Sequence, residues 1–497
     1  MIGVLSRQQM PCAETSWLRG GAVVVCLFMA ASLCAHPALA ETLDEALANA
    51  YLINPTLNAE RARARAIDEQ VPIAKSGLRP NISASGDLSY RNTENDVAGG
   101  NGTGRASLNA GQANFGQDGD VSSDGVTHPR GYAVQLTQPI FEGFQNLNAI
   151  RQAKATVQAG RETLRAVEQN TLLNAATTYV DVVRDLAVVG LRQSNVDVLS
   201  EQLRQTKDRF NVGEVTRTDV AQAEARRSDA ITQLYAAQAN LKASRATYEQ
   251  VIGHPPSNLI PPAPIIHLLP TNLDDAMTLG DGENPVILSA VYQEEASLYN
   301  VNQILGELMP QVTLDAQYQQ RFGESRVLRE QQTTTVMGRV NVPLYQGGGV
   351  AARIRQAKET NHQLKKEVED ARLRIHANVI SSWGQLQATG AAIKSSQSSL
   401  EANRIALEGV REEEKVGQRT TLDVLNAQLE YLNSQILVVT AKRDRVVAEY
   451  SLSASVGHLD AQSLGLSVPY YDPFEHYGIV KNKWFGLRPP APPAADE

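Results

Sequence analysis

The sequence predicts an α+β membrane protein built by tandem duplication, with four amphipathic strands and two very long helical hairpins per chain. Three observations carry this. Two stretches of more than sixty residues lack proline, four short segments alternate apolar and polar residues, and the same succession of segments occurs twice. A period-two pattern with one apolar face is what membrane strands show, and half-buried hairpins of soluble proteins show it too. The export signal and the absence of other soluble-domain strands favour the membrane.

Residues 1–40 stand apart. They hold Arg7 and Arg19, an apolar run from Gly21 to Leu33, and Ala38-Leu39-Ala40 before Glu41. A positive start, an apolar core and an A-x-A end describe a secretory signal peptide cleaved between Ala40 and Glu41. The run is too short and wrongly flanked for a spanning helix. Cys34 follows bulky Leu33, where a lipid-attachment signal wants a small residue, so the A-x-A site explains the stretch better. Cys12, Cys26 and Cys34 all lie in this leader, which leaves a mature chain of 457 residues without cysteine. Disulfide and thiol chemistry are thereby excluded although the protein leaves the cytoplasm. The mature chain carries 44 basic against 53 acidic residues and offers nothing that suggests nucleic-acid binding. No later segment has 18 continuous apolar residues, so membrane entry must use strands.

The duplication is visible in the letters. "TLDEALANAYLINP" (42–55) matches "NLDDAMTLGDGENP" (272–285) at an offset of 230, as Pro80 matches Pro310. "QPIFEGFQNLNAIRQAK" (138–154) matches "VPLYQGGGVAARIRQAK" (342–358) at an offset of 204. "VGEVTRTDV" (212–220) and "VGQRTTLDV" (416–424) keep that second offset, as do Gly253-His254 and Gly457-His458. The change of offset places 26 extra residues between Pro80 and Pro139. The first copy, 41–255, reads as a short helix, strands at about 80–92 and 130–141, a long helix at about 146–211, a tip at 212–217 and a returning helix at 218–253. A Pro-rich linker, 256–271, precedes the second copy, 272–460. That copy has a helix, strands at about 310–320 and 334–345, a long helix at about 348–414, a tip at 415–420 and a returning helix at 421–457. A C-terminal segment, 461–497, ends in a Pro/Ala tail expected to be disordered.

Apolar residues at heptad spacing run along the first long segment: Ile150, Val157, Leu164; Leu172, Tyr179, Leu186; Val196, Leu203, Phe210. The jumps between these sets are stutters. A helix of this length measures ~100 Å, too long for one compact domain, so the returning segments serve as antiparallel partners. The strands alternate in the opposite manner. Ile82, Ala84, Gly86, Leu88 and Tyr90 share one side, as do Tyr132, Val134 and Leu136, then Val312, Leu314, Ala316 and Tyr318, then Val336, Gly338, Val340, Val342 and Leu344. Pro80, Pro139, Pro310 and Pro343 are expected where strand meets helix, since proline stops helices and lacks a donor. Residues from about Asn92 to Arg130, rich in Gly, Asn, Asp and Ser, read as a surface loop. Its sequon at Asn101 carries no weight. Four strands cannot close a barrel, for which about eight is the minimum. Their edges must be satisfied by other copies, and three copies give twelve strands.

Local physics accounts for most of the two tips. Gly213 and Gly417 suit left-handed helix ends, and Thr216-x-x-Asp219 and Thr420-x-x-Asp423 are capping boxes. The copies differ in that Arg419 follows Gln418, whereas Val215 follows Glu214.

Signal peptide, duplicated strand–long-helix units and paired breaks together resemble the TolC family of outer-membrane channel-tunnels, over residues 42 to about 465. "QPIFEG…IRQAK", "RFNVGEVTRTDV" and "VGQRTTLDVLNAQ" carry the resemblance. It implies a homotrimer: a 12-stranded barrel in the outer membrane of a Gram-negative bacterium, continued by an antiparallel coiled-coil tunnel across the periplasm. Its implied partners are a periplasmic adaptor (membrane fusion protein), an inner-membrane ABC or RND transporter, and outer-membrane lipid. The tail "YDPFEHYGIVKNKWFGLRPP" looks like that of the branch serving type I protein secretion. Under the resemblance the breaks become periplasmic tips. Asp423 matches an acidic ring at the closed entrance, Arg419 an arginine tying the hairpins, and Thr218 and Asp219 its partners. Asn426 stands where some members carry a second acid. Val212, Gly213, Glu214, Val215, Val416, Gly417, Gln418 and Thr420 would meet the adaptor.

No phosphate loop, nucleophile elbow or HExxH occurs, and the histidines lack ligand spacing, so neither an enzyme nor a cofactor is expected. His254 and His458 are expected to end helices. The tail aromatics Tyr470, Tyr471, Phe474, Tyr477, Trp484 and Phe485 are expected to pack around the tunnel's middle rather than bind a ligand. Multidrug or metal efflux competes with protein secretion as the cargo. A soluble periplasmic coiled-coil adaptor or scaffold is the competing class, disfavoured by four amphipathic strands bounded by prolines.

Overall fold

The computed structural model describes residues 41–93, 125–324 and 329–490. The expected signal peptide with Ala40, most of the extra loop, and the last residues of the Pro/Ala tail lie outside the described residues.

The first copy opens with three helices, where the sequence suggests one. Thr42 starts α1 (Leu43–Ile53) through a capping box with Glu45. The Asn54 side chain then caps α2 (Pro55–Asp68), and α3 (Gln70–Ser76) follows. Pro55 sits at the first turn of a new helix, where its missing N–H costs nothing. Strands β1 (Asn81–Leu88), β2 (Arg91–Thr93), β3 (Gly125–Thr127) and β4 (Arg130–Glu142) lead into α4 (Gln145–Asn211), and α5 (Arg217–Ile252) returns. The second copy repeats the device. Asn272 caps α6 (Leu273–Glu283), and Asn284 with Pro285 starts α7 (Pro285–Leu305). Then come β5 (Gln311–Phe322), β6 (Glu330–Asn341), α8 (Gly349–Lys415) and α9 (Thr421–Val456), and α10 (Pro473–Val480) closes the chain.

The extra helices have a physical role. Helices α4 and α8 have 67 residues each, whereas α5 and α9 have 36, so the returning helices cover only about half of each rod. The strand-proximal half is covered instead by α2, α3 and α7. Val71 packs on Ala153 and Val157 there, and Ser289 of α7 donates to the Ala159 carbonyl. The heptad residues of α4 are buried except Leu186 and Phe210, which are 38% and 42% exposed.

The largest core lies at the middle, where α1, α4, α5 and α9 meet around Leu47, Leu172, Tyr179, Tyr248 and Tyr450. Glu41 is drawn into it: Tyr248 donates to Glu41 Oε1 at 2.6 Å, and the Tyr179 hydroxyl lies 2.8 Å from the Glu41 carbonyl. Burial, more than any other cause, pushes the Tyr179 phenol up to about 12. Leu172 is fully buried here. Leu172→Ala is expected to cost about 2–5 kcal/mol through lost transfer energy and a cavity, measurable as a lowered thermal midpoint of the purified protein.

The main sheet is antiparallel in the order β1-β4-β5-β6. Its register aligns the apolar positions in rows: Ile82, Leu136, Ala316, Val336, and next to it Ala84, Val134, Tyr318, Thr334. The intervening row is polar: Ser83, Gln135, Gln317, Thr335. Residues directly opposite in a sheet share a face, so one side is an apolar band and the other is polar. Val336 and Val340 on the band are 70% and 64% exposed in this single chain. Strands β4, β5 and β6, at 12 or 13 residues, exceed the ~9–11 that a tilted membrane strand needs.

One expectation about the prolines is corrected. Pro80 and Pro310 directly precede β1 and β5, and Pro343 lies between β6 and α8, but Pro139 lies inside β4. The register slips between Pro139 and Phe141, and this bulge accommodates a residue without a donor.

Candidate functional site

The hairpin tips lie at the ends of α4 and α8 remote from the sheet. Gly213 and Gly417 adopt φ of +84° and +77°, a region that other residues enter only with strain. Their N–H groups close the helices onto the carbonyls of Phe210 and Glu414, both at 3.0 Å. In the first tip the Thr216 amide donates to Asp219 Oδ2 at 2.8 Å, and the Asp219 amide returns to Thr216 Oγ1 at 3.3 Å. In the second, Thr420 and Asp423 do the same at 3.0 and 3.3 Å. The Thr420 amide and hydroxyl hold Asp423 below its ordinary 3.8, and those of Thr216 lower Asp219 likewise. Val212 and Val416 project with 72% and 71% exposure.

The two tips carry opposite charge arrangements on one backbone. At the repeat offset Arg209 corresponds to Glu413. In the first tip Arg209 in the helix pairs with Glu214 in the turn at 3.1 Å. In the second, Glu413 in the helix pairs with Arg419 in the turn at 2.9 Å. Two contacts join the hairpins. Arg209 Nη1 reaches Glu414 Oε1 across the gap at 2.5 Å, and Arg226 donates to Asn426 Oδ1 at 2.9 Å. Beside Asn426, Leu425 is buried against α4 and α5 residues including Leu199 and Ala230.

These contacts place the residues singled out in the sequence. Asn426 meets Arg226, and Asp423 is engaged by Thr420. Arg419 is held by Glu413 of its own hairpin, the Asp219 carboxylate is taken by Thr216, and Thr218 is exposed. One chain therefore does not bring Arg419 to Thr218 and Asp219. Glu214 pairs with Arg209, while Val215 and Gln418 belong to the turns. Sequence reasoning missed Arg209, Arg226, Glu413 and Glu414. The Arg209/Glu413 exchange was readable at the offset of 204, but the partner across the gap was not.

Elsewhere, Gly253 and Gly457 end α5 and α9 with positive φ. His254 and His458 then meet Glu41 at 3.3 Å and Glu283 at 2.6 Å. Among the described residues no group of three metal-ligating side chains occurs, and no helix is long and apolar enough to cross a membrane.

Comparison with known proteins places this architecture. The family model described as outer membrane efflux protein matches residues 43–254 and 281–458. The chain is 40% identical over 459 residues to the outer membrane efflux protein BepC of Brucella suis, covering 92% of this chain and 94% of that one. It is 25% identical over 445 residues to the outer membrane protein TolC of Escherichia coli, covering 86% and 84%. Its fold superposes on the outer membrane channel CmeC of Campylobacter jejuni with a TM-score of 0.72 at 16% identity, over 88% and 89% of the chains.

Proposed function

Because the chain belongs to the outer membrane efflux protein family, the TolC-type channels, we propose that it is the outer-membrane duct of an export machine in a Gram-negative bacterium. A single observation carries the reading. An open four-stranded sheet with an apolar band across one face is joined to ~100 Å hairpins. The sheet needs partners at both edges, and three chains supply twelve strands. The apolar band then faces lipid, the polar face lines a passage, and the hairpins form a tunnel through the periplasm. The duct performs no chemistry of its own. An inner-membrane transporter and a periplasmic adaptor deliver the cargo, and the adaptor docks on the projecting tips around Val212 and Val416.

The tips serve as the gate. Three Asp423 carboxylates at a narrow entrance attract cations, more strongly where the pore is partly dehydrated. In planar bilayers the channel is expected to be cation-selective, and Asp423→Ala to lose that selectivity. Within each chain the Thr420 amide and hydroxyl favour the charged form of Asp423, so the stability its cap contributes is present above the ordinary carboxylate pKa and is lost as pH falls through the depressed folded value. Unchanged selectivity in Asp423→Ala would remove the ring.

For the cargo, the resemblance of the C-terminal segment supports type I protein secretion through an ABC transporter. The 40% identity to a protein named for efflux favours a second reading, multidrug or metal efflux. Deleting the gene and comparing the secreted proteome with drug and metal susceptibility separates them. Loss of one or a few large secreted proteins without sensitisation supports secretion, and sensitisation alone supports efflux.

A further inference from the structure

The C-terminal segment climbs the molecule toward the sheet. The Tyr471 amide donates to Tyr51 Oη at 2.9 Å, His476 pairs with Asp68 at 3.0 Å, and Lys75 Nζ donates to the Lys481 carbonyl at 2.7 Å. Arg79 donates to the Lys483 carbonyl at 3.0 Å and stacks over Trp484 at 4.5 Å. Contacts at 51, 68, 75 and 79 thus follow one another as the tail advances, and the last lies two residues before β1. There the chain turns through Gly486, at a φ of +116°. Trp484, Phe485 and Leu487 are left 60%, 87% and fully exposed. Apolar groups this bare at the edge of an apolar band call for a cover.

Charge identifies the cover. Segments 70–80, 145–161 and 476–490, which flank the start of the sheet, hold eight lysines and arginines and no aspartate or glutamate, in a chain of net charge −8. Of the carboxylates near their ends, Asp68 is engaged by His476, Glu142 by Asn146 and Glu162 by Arg165, while Glu69 and Glu475 also adjoin them. Partial burial, then the like charges of Lys154, Arg79 and Lys481, lower the Lys75 pKa. A belt of exposed aromatics backed by snorkelling cations matches the headgroup region of a bilayer. Anionic headgroups attract such clusters.

We propose that residues 481–488 form an interfacial anchor that lays Trp484, Phe485 and Leu487 into the periplasm-facing leaflet and binds anionic phospholipid through Lys481, Lys483 and their basic neighbours. The inference rests on the outer-membrane reading of the sheet. It adds a lipid-binding element outside the barrel, carried by the tail.

The test uses the full chain reconstituted in phosphatidylcholine vesicles with brominated acyl chains, with and without phosphatidylglycerol. Of the three tryptophans, Trp17 lies in the leader, so a Trp383→Phe background isolates Trp484 in the mature chain. Its emission is expected to be quenched by the brominated chains, and more strongly with phosphatidylglycerol. Replacing Lys481 and Lys483 by Gln should reduce the docked-to-free ratio about fivefold per charge and remove the phosphatidylglycerol dependence. Arginine at both positions should retain it. Val134→Trp, in a chain lacking the other tryptophans, reports the sheet itself. Quenching at Val134→Trp but not at Trp484 overturns the anchor and leaves the barrel standing, whether Trp484 is open to acrylamide or covered by a second copy. No quenching at either position overturns both.

Discussion

Val134→Arg is expected to abolish heat-modifiable trimers in the outer-membrane fraction, whereas Gln135→Arg, one residue along the same strand, should leave them intact. The contrast follows from the register. Val134 lies in the row with Ala84 and Tyr318 on the apolar band, and Gln135 in the row with Ser83 and Gln317 on the opposite face. A charge on the lipid face near the bilayer midplane costs about 2–4 kcal/mol per chain, hence about 6–12 kcal/mol over three chains. That is comparable with the whole stability of a domain. On the polar face the same guanidinium stays in water. Equal tolerance of both substitutions would mean that the band does not meet lipid.

Removing the contacts between the hairpins should have the second largest effect. Arg209→Ala with Arg226→Ala deletes the Arg209–Glu414 and Arg226–Asn426 contacts while leaving each turn its glycine and its capping box. Exposed pairs contribute about 0.2–1 kcal/mol each. Two such contacts in three chains sum to about 1–6 kcal/mol, a bias of ~10 to ~10⁴-fold between joined and parted tips. Planar-bilayer conductance should rise and high salt should raise it further in the wild type, because exposed pairs are screened. Arg209→Ala and Glu414→Ala combined should do little more than either alone, since they remove one interaction. Full additivity, with conductance unchanged, would exclude this pair from the closure.

Much of this architecture is legible in the sequence because it is periodic. Heptads mark the rods, alternation marks the strands, and the repeat fixes their order. The capping letters of both tips also read directly, since Thr216 with Asp219 and Thr420 with Asp423 act over three residues. What stays hidden depends on distance in the fold. Pro55 and Pro285 look like helix ends, yet an Asn before each makes them helix starts, and only packing on α4 and α8 shows why those helices are needed. Pro139 looks like a junction until the register reveals a bulge. Arg209 and Glu414 lie 205 residues apart, and no local pattern announces a pair formed across two hairpins.

The export duct requires the sheet to be a third of a barrel. The direct measurement is single-channel recording of the purified full-length protein in planar bilayers, together with its mass in detergent. A trimer that inserts and conducts ions in discrete steps is the predicted result. A water-soluble monomer that never inserts would contradict the account.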